Sequence, residues 1–378
     1  MGEDRRTQVA EGDRGLNAAP LGLSVGLLIM STNPVQPSAK LFQGDPAPWF
    51  EARCTGHPLF RLDAAAGRYV VLCFLGSAGS EAAIQAVRIA ITQHRSLFDD
   101  QKVQLFFVST DPDDERLGRL RQSLPGVRHI WDFDRKVSRL YGVSGGSPES
   151  VSRCWFVLDP MLRILTIAPL RATPAVMALV ADLPHLSAHA GVELTAPVLI
   201  LPRILEPAFC KHLIGLYQSG GGTETGVMVE MDGQTVMVHD PLFKRRRDHQ
   251  IQDEDTRTAI RGLLWRRLVP EMRKAFQFDA TQIERYIIAC YDAAEGGHFV
   301  PHRDNTTPGT AHRRFAVTVN LNQDYEGGDL RFPEFGGRLY RAPVGGAVVF
   351  SCSLLHEVTP VIKGKRFALL PFLYDGPA

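Results

Sequence analysis

The sequence predicts two domains in tandem, an α/β half with a mainly parallel sheet followed by a β-sandwich or jelly roll. Three observations carry this. The chain has 378 residues, more than one core usually organises. From Gly44 to about Leu170, continuous apolar runs alternate with segments of helical spacing. Beyond Phe276 the chain breaks into short strands punctuated by Gly, Asn, Asp and Pro.

The opening "MGEDRRTQVAEGDRGLNAAP" is polar and without hydrophobic period, so residues 1–40 are expected as a disordered leader. The next run, "LGLSVGLLIM", is about half of the roughly 20 residues a membrane span requires. Acidic residues precede it and no A-x-A site follows, so neither secretion nor a membrane anchor is expected. Met30 is an alternative start. Lys plus Arg number 42 against 41 for Asp plus Glu, which gives no electrostatic reason to expect nucleic acid or an anionic membrane. Six cysteines (Cys54, Cys73, Cys154, Cys210, Cys290, Cys352) lie far apart with no Cys-x-x-Cys pair, a pattern of reduced thiols in the cytoplasm.

Residues 41–175 form the first expected domain. "YVVLCFLG" (69–76) and "VQLFFVST" (103–110) read as strands covered on both faces. "SEAAIQAVRIAITQHRSLF" (80–98) has helical spacing, and "PDDERLGRLRQSL" (112–124) is a helix opening on acidic residues. "SRCWFVLD" (152–159) is a third strand, stopped by Asp-Pro. A Pro/Ala/His-rich passage follows, and the linker is placed at 176–194. Residues 195–378 form the second domain: helical "EPAFCKHLIGLYQSG" (206–220), a long helix from Glu254 to Phe276, then the short strands "IERYIIACY", "RRFAVTVNLN", "GDLRFPEF", "GGAVVFS" and "KRFALLPFLY".

The second domain carries the chemistry. In "HFVPHRDNTT", His302 and Asp304 stand at i and i+2, so on an extended segment both point to one side. A surface strand with scattered polar residues would look the same. A third donor is available downstream in "SLLHEVTPV", where His356 follows the strand "GGAVVF". Two imidazoles and one carboxylate on one face, with open positions opposite, suit non-haem Fe(II). His298, His312, His239 and His249 are read as ordinary polar residues. Arg366 begins the last apolar strand, where an unpaired guanidinium is costly to bury. A carboxylate ligand gripped in bidentate fashion would offset that cost. Lys363 and Lys365 are alternatives in a Gly-containing turn and are expected to be solvated.

On "CYDAAEGGHFVPHRDNTT", "RRFAVTVNLNQDYEGGDLRFPEFGG" and "APVGGAVVFSCSLLHEVTPVIKGKRFALLPFLY", residues from about 195 to 375 resemble the prolyl 4-hydroxylase-like branch of the 2-oxoglutarate/Fe(II) dioxygenases. The resemblance implies a double-stranded β-helix core, Fe(II) on His302, Asp304 and His356, and the distal carboxylate of 2-oxoglutarate on Arg366. It further implies Tyr291 lining the cosubstrate pocket. Asn320 stands where relatives often carry a tyrosine, and Thr318, facing the same side, is the alternative second partner for the carboxylate. The implied reaction hydroxylates an unactivated C–H with O2 while 2-oxoglutarate becomes succinate and CO2, with ascorbate as reductant. The substrate is a prolyl residue in a protein or peptide, or a small metabolite; fold and metal do not decide between them.

The first domain resembles a peroxiredoxin of the alkyl hydroperoxide reductase type on "GDPAPWFEARCTGHPLFRLDAAAGRYVVLCFLG", "VSTDPDDERL", "DFDRKVSRLYGV" and "SRCWFVLDP", and so implies a thioredoxin-like fold. The family's reactive cysteine belongs in the loop after the first central strand, and this chain reads "FLGSAGSEAA" there. Cys73 and Cys154 lie elsewhere, and Arg153 falls where the family keeps an arginine beside the thiol. The domain is therefore expected to be a scaffold, a homodimerisation surface or a partner-binding module. Thiol peroxidase activity and a non-catalytic binding module are the alternative functions. The run Lys244 to Arg247 in "HDPLFKRRRDHQIQD" is read as a solvated face or as a basic lid suited to an acidic substrate or peptide.

Overall fold

This computed structural model describes residues 40–144, 152–231 and 233–376. The expected leader up to residue 39 lies outside them. All of the described residues belong to one compact unit. Among the described residues no helix is long and apolar enough to cross a membrane.

The N-terminal half is built on seven strands: β1 (Glu51–Cys54), β2 (His57–Arg61), β3 (Tyr69–Gly76), β4 (Val103–Ser109), β5 (Val127–Trp131), β6 (Cys154–Leu158) and β7 (Ile164–Pro169). They lie in the order β2-β1-β5-β4-β3-β6-β7. Every residue of β3 and β4 is buried, as their uninterrupted apolar runs require, with one cluster of core side chains on each face of the sheet. The sheet is not mainly parallel. Only β3–β4 and β4–β5 run parallel, while β1–β2, β1–β5, β3–β6 and β6–β7 are antiparallel. Connection length accounts for two of these pairs: β1–β2 and β6–β7 are joined by short loops, and a hairpin can only return antiparallel. Strand β5 escaped sequence reading because "VRHIW" looks polar; His129 is nevertheless buried and stacks on Phe107 at 5.8 Å.

The helices are shorter than expected. The 80–98 segment is α1 (Glu81–Arg88), capped by the Ser80 hydroxyl, then a π-turn over Ile89–Gln93 and a 3-10 turn over Arg95–Leu97. The helix expected over 112–124 is only α2 (Pro112–Arg116), cut off just before Gly118 at φ +61°. A short α3 (Lys136–Leu140) follows. The linker placed at 176–194 starts inside α4 (Thr173–Ala181). Val176, Met177 and Val180 belong to the N-terminal core, because this helix covers apolar surface that the sheet would otherwise expose.

The C-terminal half opens with β8 (Leu199–Leu201) and α5 (Pro207–Gly220). Strands β9 (Thr223–Glu224), β10 (Val227–Met231), β11 (Gln234–Val238), β12 (Lys244–Arg245) and β13 (Arg247–Gln250) follow. The long helix is two, α6 (Glu254–Arg267) and α7 (Val269–Phe276), broken at Leu268 because Pro270 cannot donate the next helical hydrogen bond. Next come β14 (Gln282–Glu284), β15 (Ile287–Asp292), β16 (His298–His302), β17 (Phe315–Asn320), β18 (Tyr325–Gly327), β19 (Leu330–Arg331) and β20 (Leu339–Tyr340). The last strands are β21 (Ala347–Ser351), β22 (His356–Val358), β23 (Val361–Leu369) and β24 (Phe372–Tyr374).

Apart from the β10–β11 hairpin, these strands form two facing antiparallel sheets, a jelly roll. The smaller has the order β12-β16-β22-β19-β20, and the larger is centred on β24-β17-β23-β15-β13. Strand alternation divides the larger sheet's side chains. Ile288 and Cys290 of β15, Val317 and Val319 of β17, and Leu369 of β23 pack outward against α5, α6 and α7. Ala289, Tyr291, Ala316 and Ala368 face inward, toward Leu330 and Val358 of the smaller sheet. This parity places Tyr291, Thr318 and Arg366 on the inner face.

Candidate metal centre

His302 ends β16 and His356 begins β22, and the two are direct partners in the antiparallel register. Asp304 follows two residues on, its backbone N–H donating to Cys352 O at 2.9 Å. Donor atoms of the three side chains all lie within 4.8 Å of one another. Asp304 Oδ2 is 3.3 Å from His356 Nε2, and Oδ1 is 3.7 Å from His302 Nε2. Each imidazole donates from Nδ1 to a carbonyl two residues back, Val300 O at 2.8 Å and Leu354 O at 3.0 Å. These bonds fix the tautomer and turn both Nε2 lone pairs toward Asp304. Phe299 stacks on His302 at 3.5 Å, and Phe350 meets His356 edge-on at 4.6 Å.

Burial and the neighbouring His356 push the His302 imidazole down to about 3, which holds it in the neutral form that binds metals. Burial opposes the charge on Asp304, yet the imidazoles of His356 and His302, with Arg285 and Arg313, keep its carboxyl below the usual range. The expected triad is thus brought together, and its donor set suits Fe(II). His298, His312 and His249 are occupied elsewhere, bonding to Gly296 O, Glu284 and Gly221 O.

The triad lines a cavity of about 860 Å3 that also contains Arg366, Tyr291 and Thr318. Arg366 is 4% exposed, and its Nε and Nη1 have no hydrogen-bond partner. The Tyr291 ring lies 5.2 Å from the guanidinium carbon, and Tyr291 is directly opposite Arg366 in register. An orphaned buried cation facing a cavity fits a carboxylate ligand. Lys363 and Lys365 are exposed and paired with Glu326 and Asp292, both near 2.9 Å or closer.

Asn320 does not line the cavity. Its Oδ1 accepts from the Tyr325 hydroxyl at 2.8 Å, and its Nδ2 donates to Asn322 O at 2.9 Å and Ala342 O at 3.2 Å. These bonds engage both amide hydrogens and one lone pair of the amide oxygen within the protein, so the cosubstrate contact expected at Asn320 finds no support in the cavity wall. Thr318, one pleat nearer, stands in the cavity wall.

The basic run is neither a solvated face nor a lid lying outside the sheets. Lys244 and Arg246 are buried with Asp248 in the cavity wall, while Arg245 and Arg247 are exposed. Strand alternation of "KRRRD" does this, with β12 joining the smaller sheet and β13 the larger. Arg246 forms a bidentate pair with Asp248 at 2.8 and 2.7 Å and reaches the Tyr291 hydroxyl at 3.4 Å. Lys244 donates to Thr225 Oγ1 at 2.9 Å and Gly226 O at 2.8 Å, and burial beside Arg246 lowers its pKa to about 6. Sequence reading also missed Arg285, whose φ of +58° separates β14 from β15, and Arg313, paired with Glu284. Both line the cavity.

In the N-terminal half, Ser77 and Ser80 occupy the loop where a reactive thiol was sought: Ser77 donates to Asp111 at 2.6 Å and Ser80 caps α1. Burial raises Cys73 well above an ordinary thiol and lifts Cys154 to about 12. Arg153 is exposed.

The model of the 2OG-Fe(II) oxygenase superfamily matches residues 285–374, and that of the AhpC/TSA family matches residues 43–166. PKHD-type hydroxylases are similar: that of Nitrosomonas europaea is 29% identical over 140 residues, 34% of this chain and 60% of its own. The one from Paracoccus denitrificans is 39% identical over 83 residues, 20% of this chain and 37% of its own. The chain thus spans less than two thirds of the length of these relatives. Among solved structures, a Pseudomonas putida prolyl-4-hydroxylase aligns over 51% of this chain and 97% of its own, at 15% identity and a TM-score of 0.35. Plasmodium yoelii Prx1a aligns over 38% of this chain and 91% of its own, at 19% identity and a TM-score of 0.30. The chain joins an AhpC/TSA-family domain, which lacks a reactive loop cysteine, to a domain of the 2OG-Fe(II) oxygenase superfamily.

Proposed function

We propose that the chain is a 2-oxoglutarate- and Fe(II)-dependent hydroxylase of the prolyl 4-hydroxylase-like kind, acting on a prolyl residue or a small metabolite. The observation that carries this is Arg366, a buried guanidinium with unpartnered N–H groups in the same cavity as the His302/Asp304/His356 cluster. In this reading the triad holds Fe(II) on one face, and Arg366 takes the distal carboxylate of 2-oxoglutarate. Fe(II), when bound, supplies activation of O2 for hydroxylation, with 2-oxoglutarate converted to succinate and CO2 and ascorbate keeping the iron reduced.

The chain's own residues supply position and dryness. Val300 and Leu354 carbonyls orient the two imidazoles. Phe299, Phe350 and Leu330 line the pocket around the triad and exclude water from it. The Tyr291 ring supports the Arg366 guanidinium, and the Thr318 hydroxyl is the second contact for the carboxylate. Arg246, anchored by Asp248, holds the Tyr291 phenol in place.

The test is aerobic incubation with Fe(II), 2-oxoglutarate and ascorbate across candidate peptides and metabolites, reading succinate release and a product heavier by one oxygen. About one equivalent of Fe(II) per chain is expected, lost in His356→Ala because two donors hold a labile ion poorly. Full iron retention in both His302→Ala and His356→Ala would remove the assignment. No observation favours thiol peroxidase activity, since the six cysteines are all buried.

A further inference from the structure

The AhpC/TSA-type domain does not sit apart from the oxygenase cavity. Seven residues of the β1–β2 hairpin and the turn after it line the same cavity as the triad, among them Glu51, His57, Leu59, Arg61 and Asp63. The contact that secures them is Arg303, the residue between the two paired donors. Its side chain is 5% exposed, and its guanidinium lies 3.5 Å from Asp63 of the N-terminal half and 2.9 Å from Glu334. Trp49 covers it, ring centroid 4.9 Å from the guanidinium carbon. Arg61 adds a second tie, donating to Thr306 O at 3.0 Å while bonding Asp63 at 3.1 Å.

The segment carrying His356 is held the same way. Leu355 packs into the N-terminal apolar cluster, and its N–H donates to Glu334 at 3.1 Å. The two chain segments bearing the triad, 302–306 and 353–356, are therefore both seated on the N-terminal half. Glu334 holds the Arg303 guanidinium in bidentate fashion at 2.9 and 3.2 Å, while Nε, without a hydrogen bond, adds a buried charge contact to Asp63 of the N-terminal half at 3.5 Å.

We propose that the AhpC/TSA-type domain is part of the oxygenase's substrate site. Its β1–β2 hairpin, chiefly strand β2 over 57–61, forms a wall of the cavity mouth and selects what reaches the triad, with Arg303 as the positioning residue that locks this wall to the metal-bearing segments. The proposal rests on the hydroxylase reading and extends it by naming a specificity-determining element outside the oxygenase domain. It also gives this domain a task that needs no thiol.

The experiment uses the full chain and Mn(II) as a paramagnetic stand-in for Fe(II). A trifluoromethyl tag is placed on Leu59→Cys, a site 45% exposed, while the native cysteines are buried and stay unlabelled. One equivalent of Mn(II) is expected to broaden the tag's 19F signal several-fold, and diamagnetic Zn(II) is not. The same tag on Ile84→Cys, which does not line the cavity, is expected to broaden less. Hydrogen exchange, which needs no metal, reads the lock. Residues 57–63 are expected to exchange faster in Asp63→Asn and Arg303→Met, and near the wild-type rate in Arg303→Lys.

Bound Mn(II) that leaves the Leu59 tag unbroadened overturns the proposal and spares the hydroxylase reading. Failure of wild type to bind Mn(II), Fe(II) or Zn(II) at all overturns that reading and this one with it. Unchanged exchange of 57–63 in both Asp63→Asn and Arg303→Met removes the role given to Arg303.

Discussion

Arg366 and Lys244 show what burial does to two cations in one cavity. Arg366 has two buried N–H groups without partners, so it needs an anionic ligand. Its removal in Arg366→Ala is expected to cost about 2–5 kcal/mol of 2-oxoglutarate affinity, read as a large rise in KM with iron content near normal. Lys365→Ala is expected to leave KM unchanged, because that ammonium is exposed and paired with Asp292. Lys244 can shed its proton, and burial drives its pKa from 10.5 to about 6. Between these values the unfolded chain carries the proton and the folded chain does not, so stability rises with pH across that window. As pH falls from 10.5 through 6, wild type should therefore lose stability relative to Lys244→Met. Parallel denaturant titrations across this range test it; equal pH slopes for the two proteins would contradict it.

At the scale of elements, the site depends on a few turns that set strand register. Gly345, at φ +73°, sits inside the turn closed by the Gly346 N–H donating to Pro343 O before β21, and its carbonyl accepts from the N–H groups of both Ile204 and Leu205. A Cβ there would meet Leu205 O at 2.1 Å. Gly345→Ala is expected to destabilise the protein by at least the ~1–3 kcal/mol of a strained left-handed residue, since the clash is with backbone that cannot rotate away. Gly142, at φ +66°, has nothing within 4 Å of its would-be Cβ, so Gly142→Ala should cost less. Thermal melts of the two variants compare these terms directly. The alternation of β12 and β13 is the other decisive local feature: it turns one linear run of charge into a buried half and a solvated half.

For the whole molecule, the expectation concerns the two halves together. All six thiols are buried, and burial raises the pKa of Cys73 and Cys154, so native protein should react slowly with a thiol reagent and show no peroxide reduction above a Cys73→Ser/Cys154→Ser variant. Rapid peroxide consumption by wild type, lost in that variant, would make the chain bifunctional. Deleting residues 1–170 would expose Leu355 and leave Arg303 without Asp63 and Trp49. The fragment is expected to aggregate or melt well below the full chain, measured by light scattering during a thermal ramp.

What the sequence determined by itself is local and periodic. Uninterrupted apolar runs fixed β3 and β4, because a strand buried on both faces has no polar side to show. The i, i+2 spacing of His302 and Asp304, a later histidine and an arginine in an apolar strand identified the candidate site, since each is a chemical demand visible in one dimension. The missing loop thiol was equally legible. The tertiary structure alone decided which partner each periodic face meets. Parity put Asn320 on the inward side, but only the nearby Tyr325 hydroxyl and Ala342 carbonyl spent its amide. Apolar spacing could not tell α4 from a linker until a core needed covering. Arg303 stands between two donors in the sequence, yet its partners Asp63 and Trp49 lie some 240 residues or more away in the chain. Such contacts form only because compact packing brings distant segments together, and no local pattern encodes which segments those will be.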